Sequence, residues 1–193
     1  VNTDCRYAII EPAISSGEIW SYFRRNYPDW CPPIPDGAPP AATVVGDVLE
    51  RGFSLVTSRY GPGANVVLGM EVVLATGDII RTGSWALPNA KPFYTWGLGP
   101  DINGLFLGAQ GTMGVVTWTN VKVENLPKLN KTFFIPLSKL EHAIEPIYRI
   151  QRKRIGYECF LMDKFNLATI LTERWPEDFE SLRATLPPWT LIL

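Results

Sequence analysis

The alternation of apolar and polar positions divides the chain into short strands and short helices. The clearest strand signal is Val66-Val67-Leu68-Gly69-Met70-Glu71-Val72-Val73-Leu74. Ala75-Thr76-Gly77-Asp78 and the apolar Ile79-Ile80 follow it, which predicts a hairpin with a glycine turn. Gly114 to Val123 alternates partially and predicts a second long strand, and Arg6 to Glu11 a short one ended by Pro12. Ser15-Ser16-Gly17-Glu18 places a hydroxyl before an acid. With Ile19, Trp20 and Phe23 at helical spacing, it predicts a helix running to Tyr27. Six prolines between Tyr27 and Pro40 predict an irregular loop, a kind that in compact domains is often functional. Residues 84–100 read as a loop rich in Trp, Pro and Gly, and 101–107 as one short helix capped by Asp101.

Leu126-Pro127-Lys128 reads as a boundary. Beyond it the pattern predicts a strand over 131–136, then a helix over 140–155 with apolar residues at 140, 144, 147, 150 and 155. A strand over 157–162, a helix over 163–173 and a strand from Trp189 follow. The fold class is α+β, with domains 1–127 and 128–193. Val1 opens directly on a strand-like stretch and residues 189–193 end on an apolar run, so both ends read as interior to a longer protein.

The chain has 193 residues, 46% of them apolar, and a net charge of -1. This suits a sizeable core and lacks the electropositive face expected of a nucleic-acid protein. No apolar run has the length of a membrane span. Three cysteines (Cys5, Cys31, Cys159) in no CxxC spacing fit neither a disulfide framework nor a zinc site, and they favour a reducing, cytoplasmic compartment. One histidine, His142, excludes a histidine-rich metal centre and reads as a solvated helix residue. No metal is expected. Arg149, Arg152, Lys153 and Arg154 read as a solvated helix face. Phe93, Tyr94, Trp85 and Trp96 read first as loop aromatics that pack, and are candidates for the wall of a substrate channel or for a partner contact.

Chemistry enters through the order of the glycine motifs. Asn2-Thr3-Asp4, Tyr7-Ala8-Ile9-Ile10-Glu11-Pro12 and Ile34-Pro35-Asp36 come first. Gly46-Asp47-Val48-Leu49-Glu50-Arg51-Gly52, Tyr60-Gly61 and the Leu68–Asp78 hairpin follow. Gly97-Leu98-Gly99-Pro100-Asp101-Ile102-Asn103-Gly104-Leu105-Phe106 and Gly111-Thr112-Met113-Gly114-Val115-Val116-Thr117 end the series. Over residues 1–127 this order resembles the PCMH-type FAD-binding domain of the vanillyl-alcohol oxidase and p-cresol methylhydroxylase flavoprotein family. Glycines suit such a cradle because backbone N–H groups can approach a pyrophosphate or a flavin ring closely.

The resemblance implies that 1–127 is the second part of an FAD-binding domain, with the pyrophosphate loop upstream of Val1. Residues 128–193 would begin the substrate (cap) domain. A chain with half a site is expected to bind FAD weakly alone. The resemblance implies Asp36 as the catalytic group beside flavin N5. It implies cofactor contacts from Thr43, Gly46, Asp47, Gly52, Tyr60, Gly61, Gly111, Gly114, Val115 and Val116. Asp47 stands where the family has Asn, and Leu55 where relatives have a substrate-side Tyr. The implied activity is hydride transfer from an alcohol or para-alkylphenol to FAD, with oxygen or an electron carrier as acceptor and a homodimer as the assembly. The alternatives are a 2-hydroxyacid oxidoreductase of the same superfamily and a non-catalytic structural or partner-binding domain.

Overall fold

The computed structural model describes residues 1–32, 34, 38–53, 55–96 and 99–193. They form two units, Val1–Lys128 and Leu129–Leu193. In the first, β1 (Tyr7–Ile10) leads to α1 (Ser16–Asn26), β2 (Trp30–Cys31), α2 (Val44–Leu49) and α3 (Thr57–Tyr60). The hairpin β3 (Val67–Val73) and β4 (Ile79–Arg81), α4 (Asn103–Phe106), β5 (Val115–Lys122) and β6 (Glu124–Asn125) complete it.

Helix α1 starts where the sequence predicts. The Ser15 hydroxyl accepts from the Glu18 N–H at 3.2 Å, and Glu18 Oε2 accepts from the Ser15 N–H at 2.8 Å. The Ser15 N–H, together with the Ser15 hydroxyl, which donates to the same oxygen at 2.8 Å, holds the Glu18 carboxyl below the ordinary carboxylate range. The predicted hairpin forms as well: Gly77, at φ 87°, makes the turn, and its N–H donates to the Leu74 carbonyl at 2.9 Å. Helix α2 has no signature in the sequence. Its valines, 44, 45 and 48, are β-branched, yet all three are buried in one core with Ile19 and Phe23 of α1, Met70 and Val72 of β3, and Val121 of β5. Burial of that face outweighs the weak helix propensity.

The main sheet runs β1-β5-β3-β4, antiparallel throughout, and β2 pairs with β6. Register shifts leave Leu68 in β3 and Thr117 in β5 as the extra residues of two bulges. At the second bulge, Thr117 Oγ1 donates to Glu71 Oε1 at 3.0 Å, while Glu71 Oε2 takes Arg81 at 2.8 Å. The Arg81 guanidinium lies 4.6 Å from the centre of the Trp85 ring.

Thr82 fastens β4 back onto β3. Its hydroxyl accepts from the Met70 N–H at 2.8 Å and donates to Asn103 Oδ1 at 2.5 Å, all of it buried. Asn103 is placed by Asp101, whose Oδ1 accepts the Asn103 N–H at 3.0 Å. Thr82→Val keeps the shape and leaves two buried groups unpaired. The expected cost is about 2–3 kcal/mol, read as a lower urea midpoint at unchanged slope.

The second unit contains β7 (Phe134–Leu137), α5 (Ile144–Lys153), β8 (Phe160–Asp163), α6 (Lys164–Leu171), α7 (Phe179–Thr185) and β9 (Trp189–Ile192). Its sheet runs β7-β9-β8, antiparallel, with Leu191 of β9 fully buried. Asp163 starts α6 by accepting the Asn166 N–H at 2.8 Å. Phe179 of α7 is buried against Phe165 and Trp175, at centroid distances of 5.2 and 4.7 Å. No helix among the described residues is long and apolar enough to cross a membrane.

Candidate functional site

The implied cofactor residues lie in two stretches of the first unit. The first begins at α2. Val44 donates to the Ile14 carbonyl at 3.0 Å and Ser16 to the Ala42 carbonyl at 2.8 Å, so α1 and α2 start side by side. The Thr43 hydroxyl occupies the space beside Gly46, 2.6 Å from where a Cβ would stand. The Asp47 side chain fills the corresponding space at Gly52, and its Oδ2 would lie 3.4 Å from a Cβ on Gly63. Gly52 donates to the Asp47 carbonyl and Gly63 to the Gly52 carbonyl, both at 2.9 Å. Gly52 and Gly63 therefore both close on the Asp47 carboxyl. Tyr60 and Gly61 end α3, Gly61 at φ 78°, with the Asn65 side chain against it.

The second stretch is the loop entering β5. Gln110 and Gly111 have φ of 51° and 75°, and a Cβ on Gly111 would meet nothing within 4 Å, so its backbone is open to an approaching group. Gly114 is the reverse case: a Cβ there would stand 2.7 Å from Val72 Cγ1 and 2.8 Å from the Val73 carbonyl oxygen. Val115 is exposed on β5, and Val116 packs on the core. A clasp joins the two stretches. Gly108 donates to the Leu49 carbonyl at 2.6 Å, and the Arg51 side chain lies across Gly108, Nε 2.9 Å from the position of a Cβ. Arg51 is itself left-handed, at φ 57°. Asp36, the implied catalytic group, lies outside the described residues.

Asp47 is exposed as a residue, yet its carboxyl faces Gly52 and Gly63. Loss of water raises its pKa above the ordinary aspartate value of 3.8. A carboxyl whose pKa rises on folding lowers stability as pH climbs through and above the interval between its unfolded and folded values. Asp47→Asn should therefore raise the melting temperature at neutral pH. The gain should vanish below the ordinary aspartate value; melting curves across pH check it.

Beside this region is a cavity of about 890 Å³. Tyr60, Phe93, Tyr94 and Trp96 line it, with Arg6, Arg51, Lys122, Asp101 and Asn103 among the polar groups. Of the implied cofactor residues only Tyr60 does so. Three of the four loop aromatics expected as channel wall are here; Trp85 instead stacks on Arg81. Arg51, Asn65 and Lys122 line the cavity and were not singled out from the sequence; the motif containing Arg51 was the available signal.

No family model matches the chain. It is 31% identical over 160 residues to the 4-cresol dehydrogenase (hydroxylating) flavoprotein subunit of Pseudomonas putida, covering 81% of this chain and 29% of the relative. It is 33% identical over 114 residues to the glycolate oxidase subunit GlcD of Bacillus subtilis, covering 59% of this chain and 23% of the relative. The chain thus spans less than a third of either relative. The structure matches p-cresol methylhydroxylase with substrate bound at a TM-score of 0.79 and 23% identity, covering all of this chain and 40% of that one. It matches the 4-ethylphenol oxidase of Gulosibacter chungangensis at 0.80 and 21% identity, covering all of this chain and 39% of that one. The fold is that of the flavin-linked oxidases and dehydrogenases. Within that class the chain belongs to the PCMH-type FAD-binding flavoprotein family.

Proposed function

We propose that this chain supplies the second part of the FAD site, and the beginning of the substrate domain, of an oxidoreductase acting on an alcohol or para-alkylphenol. The observation that carries this reading is the extent of the 4-cresol dehydrogenase match. Its 160 residues exceed the 128 of the first unit, so the likeness reaches beyond the flavin domain. The glycolate oxidase match is 114 residues long. Residues 1–127 are assigned to the flavin domain and 128–193 to the start of the substrate domain.

The residues present fit the cofactor. Gly111 offers open backbone, and the Leu49–Gly108 clasp holds its loop beside the α2 segment. Thr43, Gly46, Asp47 and Gly52 would hold FAD from one side, and Gly111, Gly114, Val115 and Val116 from the other, with Tyr60 and Gly61 at the edge. FAD, when bound, supplies the hydride acceptor. Asp36 is assigned to steer the proton or charge that the oxidised substrate leaves behind. Oxygen or an electron carrier would take the electrons onward.

A 2-hydroxyacid substrate is the second reading, favoured by Leu55 at the position of the phenol-side Tyr. One experiment separates the two. The intact, flavin-loaded protein is mixed anaerobically with a 4-alkylphenol, an aryl alcohol or a 2-hydroxyacid, and flavin absorbance is followed. Bleaching by the phenol or the alcohol supports the proposal, and bleaching by the hydroxyacid alone replaces it. An intact protein that never acquires flavin would leave a structural or partner-binding role.

A further inference from the structure

We propose that the cavity beside α3, which shares Tyr60 with the implied flavin site, is a binding site for an aromatic oxyanion, a planar ring bearing a carboxylate or phosphate, bound in addition to the flavin. The proposal rests on this cavity and not on the reading above. The walls divide the work. Tyr94 and Trp96 meet edge to face at 5.6 Å and 86°, and Trp96 is 63% exposed, so an aromatic face is open to a stacking partner.

The polar wall is dominated by donors. Arg6, Arg51 and Lys122 line the cavity, and none of the three has an acid within ion-pair distance among the described residues. Buried Asn103 spends its Oδ1 on Thr82 and leaves its Nδ2 unpartnered. The acids of the wall are Asp101 and Glu124, and Asp101 is occupied by the Asn103 N–H. Arg6 also lies over the Trp30 ring, 5.7 Å from its centre. The wall carries three cations against two acids, and an oxyanion takes charge-assisted bonds from several such cations at once.

The backbone adds a second, independent mark. Among the described residues five non-glycines have a left-handed φ, and two of them, Arg6 at 54° and Arg51 at 57°, are arginines of this wall. Such conformations cost energy and gather at ligand clamps. Arg51 is further fixed by lying across Gly108, where a side chain would displace it.

The test titrates the intact, flavin-loaded protein with benzoate by calorimetry, with inorganic phosphate and benzyl alcohol as partial probes. Benzoate should bind saturably, and phosphate or benzyl alcohol at least tenfold more weakly. A phenyl phosphate arm tells whether the site prefers carboxylate or phosphate on the same ring. Lys122→Met and Trp96→Leu, both at exposed positions, should each weaken benzoate about tenfold, a factor worth 1.4 kcal/mol. Trp96→Leu should leave phosphate binding unchanged. Flavin content should stay at the parent value in both variants, which shows that each has folded. Absent saturation, binding indifferent to both substitutions, or benzoate displacing flavin would each overturn the proposal. The flavin reading can fail in the bleaching experiment with this binding intact, so the two failures are distinguishable.

Discussion

Gly83→Ala should destabilise the first unit by roughly 2–5 kcal/mol. That combines a left-handed penalty of about 1–2 kcal/mol with overpacking of about 1–3 kcal/mol. Gly83 stands at φ 63° just after the residue that fastens β4 to β3. A Cβ there would overlap the Leu68 carbonyl oxygen and stand 2.9 Å from that of Tyr94. Both obstacles are backbone, so neither can turn away. Gly77→Ala is the control: its φ is 87°, but nothing lies within 4 Å. It should cost only the left-handed penalty, about 1–2 kcal/mol. Urea unfolding of the two variants separates strain from collision, and equal costs would remove the collision from the account.

Asp36→Asn in the intact, flavin-loaded protein should slow anaerobic flavin reduction by about 10²–10⁴-fold, the usual consequence of losing a positioned proton-transfer group. Bound flavin, measured by absorbance, should stay at the parent level. Stopped-flow reduction by the substrate identified in the bleaching experiment is the measurement. A parent rate would remove Asp36 from the chemistry while leaving the cofactor assignment standing.

The elements that local rules govern were legible in the sequence. The Ser15–Glu18 capping pair starts α1, and β-branched residues around a glycine turn make the 67–81 hairpin. The structure also gives the predicted strands at 115–122 and 189–192. Helix α2 was not legible, because Val44, Val45 and Val48 favour a strand until the core claims them as one face. Neither was α7, whose Phe179 is buried by Phe165 and Trp175. The site divides the same way. Glycine motifs mark where backbone must be open, and Gly111 is open. The contact that joins the two stretches, Leu49 to Gly108 under Arg51, links residues far apart in the chain and has no local signature. The cavity wall likewise assembles residues from 6 to 124.

The two larger sheets share one topological habit with a consequence for biosynthesis. In the order β1-β5-β3-β4 the last strand made lies between two earlier ones, and in β7-β9-β8 it does so again. β1 and β3 have no ladder with each other, and neither have β7 and β8. On the ribosome, each of these sheets therefore keeps a strand-wide gap until the strand that fills it emerges, at 115–122 and then at 189–192. Until then the chain exposes two inward edges, the kind of surface on which nascent chains aggregate. Chaperone engagement should accordingly be strongest in the intervals just before those two strands leave the exit tunnel.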